Sequence, residues 1–181
     1  MQVLDLFSGP GGLGTGFSRY FEVTTAIDWD SDCCQTYATN HRETQVTQSD
    51  VRDISFVQGD YQGILGVIGG PPCQSFSELN LQRNPADDRA NLLTEMLRAT
   101  AEIRPEFVFI ENVASIPKHF KIELVGSLEA LGYHVVARVV NASAFGSVQI
   151  RRRWILTACR SRHVYPTPTP SYRSAKEILR G

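Results

Sequence analysis

The 181-residue chain has no run of 18 or more apolar residues, the length a helix needs to cross a bilayer, so no membrane partner is expected. It has no basic stretch ahead of an apolar one at its N-terminus, so no signal peptide is expected. Its four cysteines, Cys33, Cys34, Cys73 and Cys159, form no Cys-x-x-Cys pair. That argues against a zinc site and for reduced thiols in a cytosolic protein. Internal repeats and long low-complexity tracts are also missing.

What is present suits one soluble domain with one core: 42% of residues are apolar, an ordinary globular value. The net charge of −1 conceals an asymmetry. Residues 1–150 carry 10 Lys/Arg and 18 Asp/Glu, a balance of −8, whereas residues 151–181 carry 8 Lys/Arg and one Glu, a balance of +7. A basic end suits a polyanion such as DNA, although a solvated basic tail reads equally well from charge alone.

Short apolar runs alternate with helical stretches, the pattern of a doubly wound α/β sheet. Strands are predicted over 3–7, 23–27, 44–48, 64–68, 106–110, 133–140 and 154–159. Helices are predicted over 11–20, 31–39, 89–103 and 118–131. Residues 69–88 read as a long loop, and 163–172, with three prolines, as an extended linker.

The first strand-to-helix turn, Phe7-Ser8-Gly9-Pro10-Gly11-Gly12, has glycines where a backbone approaches a ligand closely. Gly9 to Gly14 also fits G-x-G-x-x-G formally, which keeps a dinucleotide dehydrogenase open from this motif alone. Asp28 ends the second strand, where a carboxylate accepts from ribose hydroxyls, and Trp29 beside it offers a ring to an adenine face. Asp50 follows the third strand and suits an adenine amino group. Each of these, taken alone, is more often a solvent-facing turn residue.

Gly69-Gly70-Pro71-Pro72-Cys73-Gln74-Ser75-Phe76-Ser77 sets one thiol at the carboxyl end of a buried strand, in a turn whose shape Gly and Pro determine. A rigidly held thiol there is placed as a nucleophile; the alternative is a buried structural cysteine. Glu111-Asn112-Val113 follows the apolar run 107–110, where an acid either reaches a bound ring or caps a helix. In Gln149-Ile150-Arg151-Arg152-Arg153-Trp154, alternation sends Arg151 and Arg153 to one face and Arg152 to the other. Paired Arg can hold a carbonyl oxygen and a phosphate; a solvated basic strand end is the alternative.

These four motifs, in this order, resemble those of the DNA (cytosine-5)-methyltransferases, from about residue 2 to 159. The resemblance implies a Rossmann-like S-adenosylmethionine-dependent methyltransferase fold, three-layer α/β/α with a mostly parallel seven-stranded sheet and an antiparallel last hairpin strand. It implies S-adenosyl-L-methionine as cofactor, with Phe7, Gly9, Gly11, Asp28, Trp29, Asp50 and Pro72 as its contacts and Val51 and Leu92 matching the same pocket. It implies Cys73 as nucleophile toward carbon 6 of cytosine, Glu111 as the group on ring nitrogen 3, and Arg153, Arg151 and Gln149 about the base.

Double-stranded DNA with a flipped cytosine is the implied partner, and loop 75–88 resembles the family's closing loop. A branch acting on transfer RNA and a non-catalytic regulatory module remain open. Val148 stands where family members have Pro. A catalytic unit over 1–160 and a linker over 161–181 are expected. Complete members continue into a target recognition domain and a last motif that completes the cofactor pocket. A second polypeptide supplying these is therefore one expectation and a truncated form another. A cytoplasmic location is expected for a bacterial, archaeal or phage protein, a nuclear one for a eukaryote.

Overall fold

A computed structural model describes residues 1–57, 61–72 and 92–162. Seven strands form one sheet: β1 (Gln2–Leu6), β2 (Glu22–Asp28), β3 (Gln45–Gln48), β4 (Gly66–Gly69), β5 (Phe107–Val113), β6 (His134–Asn141) and β7 (Arg152–Cys159). Among the described residues four helices accompany them: α1 (Gly12–Phe17), α2 (Ser31–Asn40), α3 (Leu92–Ile103) and α4 (Lys118–Ala130). The strand order is β3-β2-β1-β4-β5-β7-β6. All pairs are parallel except those of β7, which runs antiparallel to both β5 and β6. This is the three-layer, mostly parallel α/β sheet expected, with its antiparallel last strand.

The central strands are apolar because both of their faces are covered. Val3, Leu4 and Leu6 of β1 and Val67 and Ile68 of β4 are fully buried, each such side chain contributing about 1.5–3 kcal/mol. Alternation along β5 assigns the layers. Phe107 and Phe109 face α1, where they meet the Phe17 ring at centroid distances of 6.3 and 5.1 Å. Val108 and Ile110 face the other way, into the cluster that holds Met96 of α3 and Leu124 and Leu128 of α4. Gly66 leaves room for this arrangement, since a β-carbon there would collide with the Phe107 ring.

The chain starts in the middle of the sheet, winds outward through β2 and β3, then returns to β4 on the opposite side of β1. The topological switch point therefore lies between β1 and β4, where ligands of such sheets bind, beyond the carboxyl ends of the strands. The register aligns those ends, with Leu6 opposite Gly69 and Gly69 opposite Ile110. The Gly-rich turn after β1, the Gly-Pro turn after β4 and Glu111 on β5 thus emerge side by side.

Four predicted boundaries are corrected; the first helix ends at Phe17 rather than at 20, and the fourth strand begins at Gly66 rather than at 64. The fifth strand does not stop at residue 110: β7 continues to pair with it, Glu111 opposite Ile155, Asn112 opposite Trp154 and Val113 opposite Arg153. Glu111 therefore lies inside a strand rather than after one. The last strand likewise begins at Arg152, two residues earlier than its apolar run suggests. The third helix is described from Leu92, so the predicted start at 89 lies outside the described residues.

Candidate active site

The turn after β1 is wound tightly. Phe7, a non-glycine residue, has φ 54°, and Gly9 and Gly11 have φ 52° and 97°. Left-handed backbone at an aromatic residue is strained and persists only where its surroundings impose it. The surroundings here are a set of hydrogen bonds from β2. The Ser8 N–H donates to the Ile27 carbonyl at 3.2 Å, and the Gly9 N–H donates to Asp28 Oδ2 at 2.8 Å. The other Asp28 oxygen accepts from the Asp30 N–H at 3.0 Å. Asp28, 8% exposed, thereby ties the glycine turn to the start of α2 and still has lone pairs for a ligand hydroxyl. Trp29 beside it is 74% exposed.

Asp50 caps a short 3-10 turn, Val51–Asp53. Its carboxylate receives Arg52 at 2.7 Å, and the bond from that guanidinium is the largest cause holding its pKa below the ordinary carboxylate value. Val51 is buried at 3%. Pro72 and Leu92 are half-buried, at the end of the β4 turn and the first residue of α3.

Among the described residues, two buried polar atoms near the β1 end have no hydrogen-bond partner: Asp5 Oδ1 and Ser8 Oγ. Asp5 is fully buried, its other oxygen accepting from the Tyr37 hydroxyl at 3.1 Å. Desolvation pushes its carboxyl up to about 7. A glycine turn, an acidic strand end with lone pairs to spare and an exposed indole fit a ligand with hydroxyl and aromatic parts, as S-adenosylmethionine has. Among the described residues no group of His, Cys, Asp and Glu is arranged to hold a metal ion.

Cys73 and the loop 75–88 lie outside the described residues, but the turn leading to them is described. The Asn112 amide donates to the Pro71 carbonyl at 3.1 Å, and its oxygen accepts from the Val113 N–H at 2.8 Å. A β-carbon on Gly70 would sit 3.4 Å from Glu111 Oε2, so that oxygen faces the turn three residues before Cys73. The other, Oε1, is taken by Arg153 Nε at 2.5 Å, with Arg151 NH2 at 3.9 Å. The predicted sharing of a face by Arg151 and Arg153 holds, and the acid they address is Glu111. Gln149 is exposed, its N–H on Ser147 Oγ at 3.1 Å. With Val148 in place of Pro, the turn is closed by Arg151 N–H on Asn141 Oδ1 at 3.1 Å.

Residues whose part was not foreseen are Asp5, Tyr37, Thr15 and His41, which pack behind the glycine turn. Tyr37 stands in the last turn of α2 and His41 directly after the helix, four residues on.

A glycine turn at the switch point, beside an acid held by Arg153, is the ligand end of a doubly wound α/β domain. The comparisons narrow the class. The chain belongs to the C-5 cytosine-specific DNA methylase family, whose model matches residues 1–179. It is 37% identical over 158 residues to the type II methyltransferase M.FnuDI of Fusobacterium nucleatum, covering 84% of this chain and 45% of that protein. It is 30% identical over 190 residues to the type II methyltransferase M.AquIA of a Picosynechococcus strain, covering 94% of this chain and 77% of that one. The fold matches the methyltransferase EhMeth of Entamoeba histolytica with a TM-score of 0.78 at 21% identity, over 97% of this chain and 57% of the other. The chain thus spans about half the length of several of its relatives, including 45% of M.FnuDI. Family membership leaves the dehydrogenase reading of Gly9 to Gly14 without support.

Proposed function

We propose that this chain carries the catalytic half of a DNA (cytosine-5)-methyltransferase. The observation that carries the reading is Glu111, with Oε1 held by Arg153 and Oε2 facing the turn that leads to Cys73. When bound, S-adenosyl-L-methionine supplies an electrophilic methyl group on a sulfonium. Asp28 and Trp29 are assigned to its ribose and adenine, Phe7, Gly9 and Gly11 to the turn beneath it, and Asp50, Val51, Pro72 and Leu92 to the adenine side. For Asp50 to serve an adenine amino group, it must share its carboxylate with Arg52.

Cys73 attacks carbon 6 of the cytosine as a thiolate. The electron pair of the 5,6 double bond moves toward carbon 5, which would take the methyl group as the methyl–sulfur bond breaks and its electron pair stays on sulfur. Glu111 hydrogen-bonds ring nitrogen 3 and the exocyclic amine, stabilising charge that develops there. Arg153 and Arg151 hold Glu111 and the base carbonyl, with Gln149 at the entrance of the same strand. Loss of the carbon 5 proton to water then leaves its electron pair to re-form the 5,6 double bond, which expels the Cys73 thiolate and restores the aromatic ring. The base must leave the duplex to reach this site.

The unit proposed spans residues 1–160, with 161–181 leading on. We assign reading of the DNA sequence to a further segment, on this polypeptide or a second one. Two features support a docked segment. On the α1 side of the sheet, Phe17 and Phe21 cover Phe107 and Phe109, while Val136 and Thr157 are only half-buried and Arg138 is exposed. Phe145, Val148 and Ile150 are exposed at 54%, 50% and 81% at the mouth of the site. Apolar surface left open in this way marks an interface. Among the described residues no helix is long and apolar enough to cross a membrane, and bacterial relatives favour a cytoplasmic setting.

The test is covalent trapping on duplex DNA containing 5-fluorocytosine, with S-adenosylmethionine and with or without cell fractions. Fluorine on carbon 5 blocks release, so a band of altered mobility on a denaturing gel, lost on Cys73→Ser, supports the reading. A band formed only with RNA would move the substrate to RNA. No band under any condition would overturn the catalytic reading.

A further inference from the structure

We infer that His41 is a positioning residue for the cofactor turn, acting through Thr15 on Gly11; as far as it concerns the cofactor, this rests on the function proposed above. The Thr15 hydroxyl donates to the Gly11 carbonyl at 2.8 Å. Its one proton is thereby committed, so in the 3.1 Å contact between Thr15 Oγ1 and His41 Nε2 the ring nitrogen is the donor. The chain of donation runs from His41 Nε2–H to Thr15 Oγ–H to the Gly11 carbonyl.

The ring also bears directly on Gly11. A β-carbon on that glycine would lie 2.8 Å from His41 Nε2 and 2.9 Å from Cδ2. Gly11 is therefore fixed from two sides, at its α-carbon and at its carbonyl, in the φ 97° conformation that opens α1.

His41 itself is well anchored. Its N–H donates to the Tyr37 carbonyl at 2.8 Å, and its own carbonyl accepts from Thr44 N–H at 3.0 Å. Its ring packs on Tyr37 with centroids 4.6 Å apart, and Tyr37 is tied through its hydroxyl to Asp5 at 3.1 Å. The C-terminal turn of α2 thus grips the glycine turn at Gly11 and the end of β1 at Asp5. Pre-setting a loop in its bound shape removes an ordering cost from binding. Both the Nε2–H tautomer and the imidazolium donate from Nε2, so the device holds whether or not the ring is charged.

The experiment has two readouts. Long-range proton–nitrogen NMR of the free 181-residue chain identifies the His41 tautomer; Nε2–H is expected, and Nδ1–H would overturn the inference. Calorimetry with S-adenosylhomocysteine then compares variants. His41→Ala and Thr15→Val should each bind about tenfold more weakly, the loss of one hydrogen bond. His41→Gln and Thr15→Ser, which keep a donor and a hydroxyl, should stay within about twofold of the parent. Thr15 is exposed, so Thr15→Val serves where His41→Ala fails to fold. Binding of both truncations at the parent's affinity would overturn the inference. If the parent itself, alone and with the fractions that support trapping, bound no S-adenosylhomocysteine, the functional reading would fall. The tautomer alone would then decide the relay.

Discussion

Ionising Asp5 should weaken the fold, and the size of the effect follows from where it sits. The side chain is fully buried, one oxygen taken by Tyr37 and the other without a partner among the described residues. Burial, with the negative charge of Asp28 adding to it, raises its pKa from the ordinary 3.8 to about 7, against the bonds from Tyr37 and the Gly14 backbone. Each pH unit of that rise corresponds to about 1.4 kcal/mol, so the ionised form should cost the folded state about 4 kcal/mol.

The sign follows from proton counts. Unfolded, the group loses its proton near 3.8; folded, near 7. Between those values the folded chain holds more protons, so this contribution is fully present below the lower value and is lost as pH rises through the upper one. Asp5→Asn keeps the shape and cannot ionise. It leaves an amide N–H without a partner, at about 1–3 kcal/mol, and removes the slope. The variant should be less stable than the parent near about pH 4 and as stable or more so near about pH 8. Urea unfolding at both pH values measures this. If the parent-minus-variant difference did not change between them, Asp5 would not be the titrating group and the argument would fail.

Gly14→Ala would set a methyl 2.1 Å from Tyr37 Oη and 3.0 Å from Asp5 Oδ2. Overpacking at about 1–3 kcal/mol plus a broken buried hydrogen bond at about 1–3 kcal/mol should lower the thermal midpoint by many degrees; an unchanged midpoint in a melting scan would refute this. Asn112→Ala frees the Pro71 carbonyl and should slow adduct formation at Cys73 by about tenfold while S-adenosylhomocysteine binding holds, with trapping rates and calorimetry as the paired assays. Arg153→Gln should reduce trapping more than Arg151→Gln, because Arg153 meets Glu111 at 2.5 Å and Arg151 at 3.9 Å. The reverse order would mean that Glu111 is not what Arg153 holds.

The difference between what could be read from the chain and what could not is a difference between local and distant causes. The sheet was readable because a strand covered on both faces must be apolar throughout, as 66–69 and 107–110 are. The turns after β1 and β4 were readable because Gly and Pro act on their own backbone. Glu111 was misplaced for a non-local reason. The apolar run ends at Ile110, whereas the strand continues through Val113 because Ile155, Trp154 and Arg153 supply its hydrogen-bonding neighbour. That partner lies 40 to 44 residues downstream, and no property of Glu111-Asn112-Val113 announces it.

Asp28 shows the same division. An acid at a strand end is visible, but its bonds to Gly9 and Asp30 depend on how β1 and β2 pair. Tyr37 and His41 are four residues apart in the sequence, in the last turn of α2 and just past it; their targets, Asp5 and Gly11, are set by where α2 lands on the sheet. The groups assigned to the chemistry therefore stand in turns whose residues specify their own shape. The groups that aim them reach the same place through strand register, which is why a motif can identify the reaction and leave its supports unnamed.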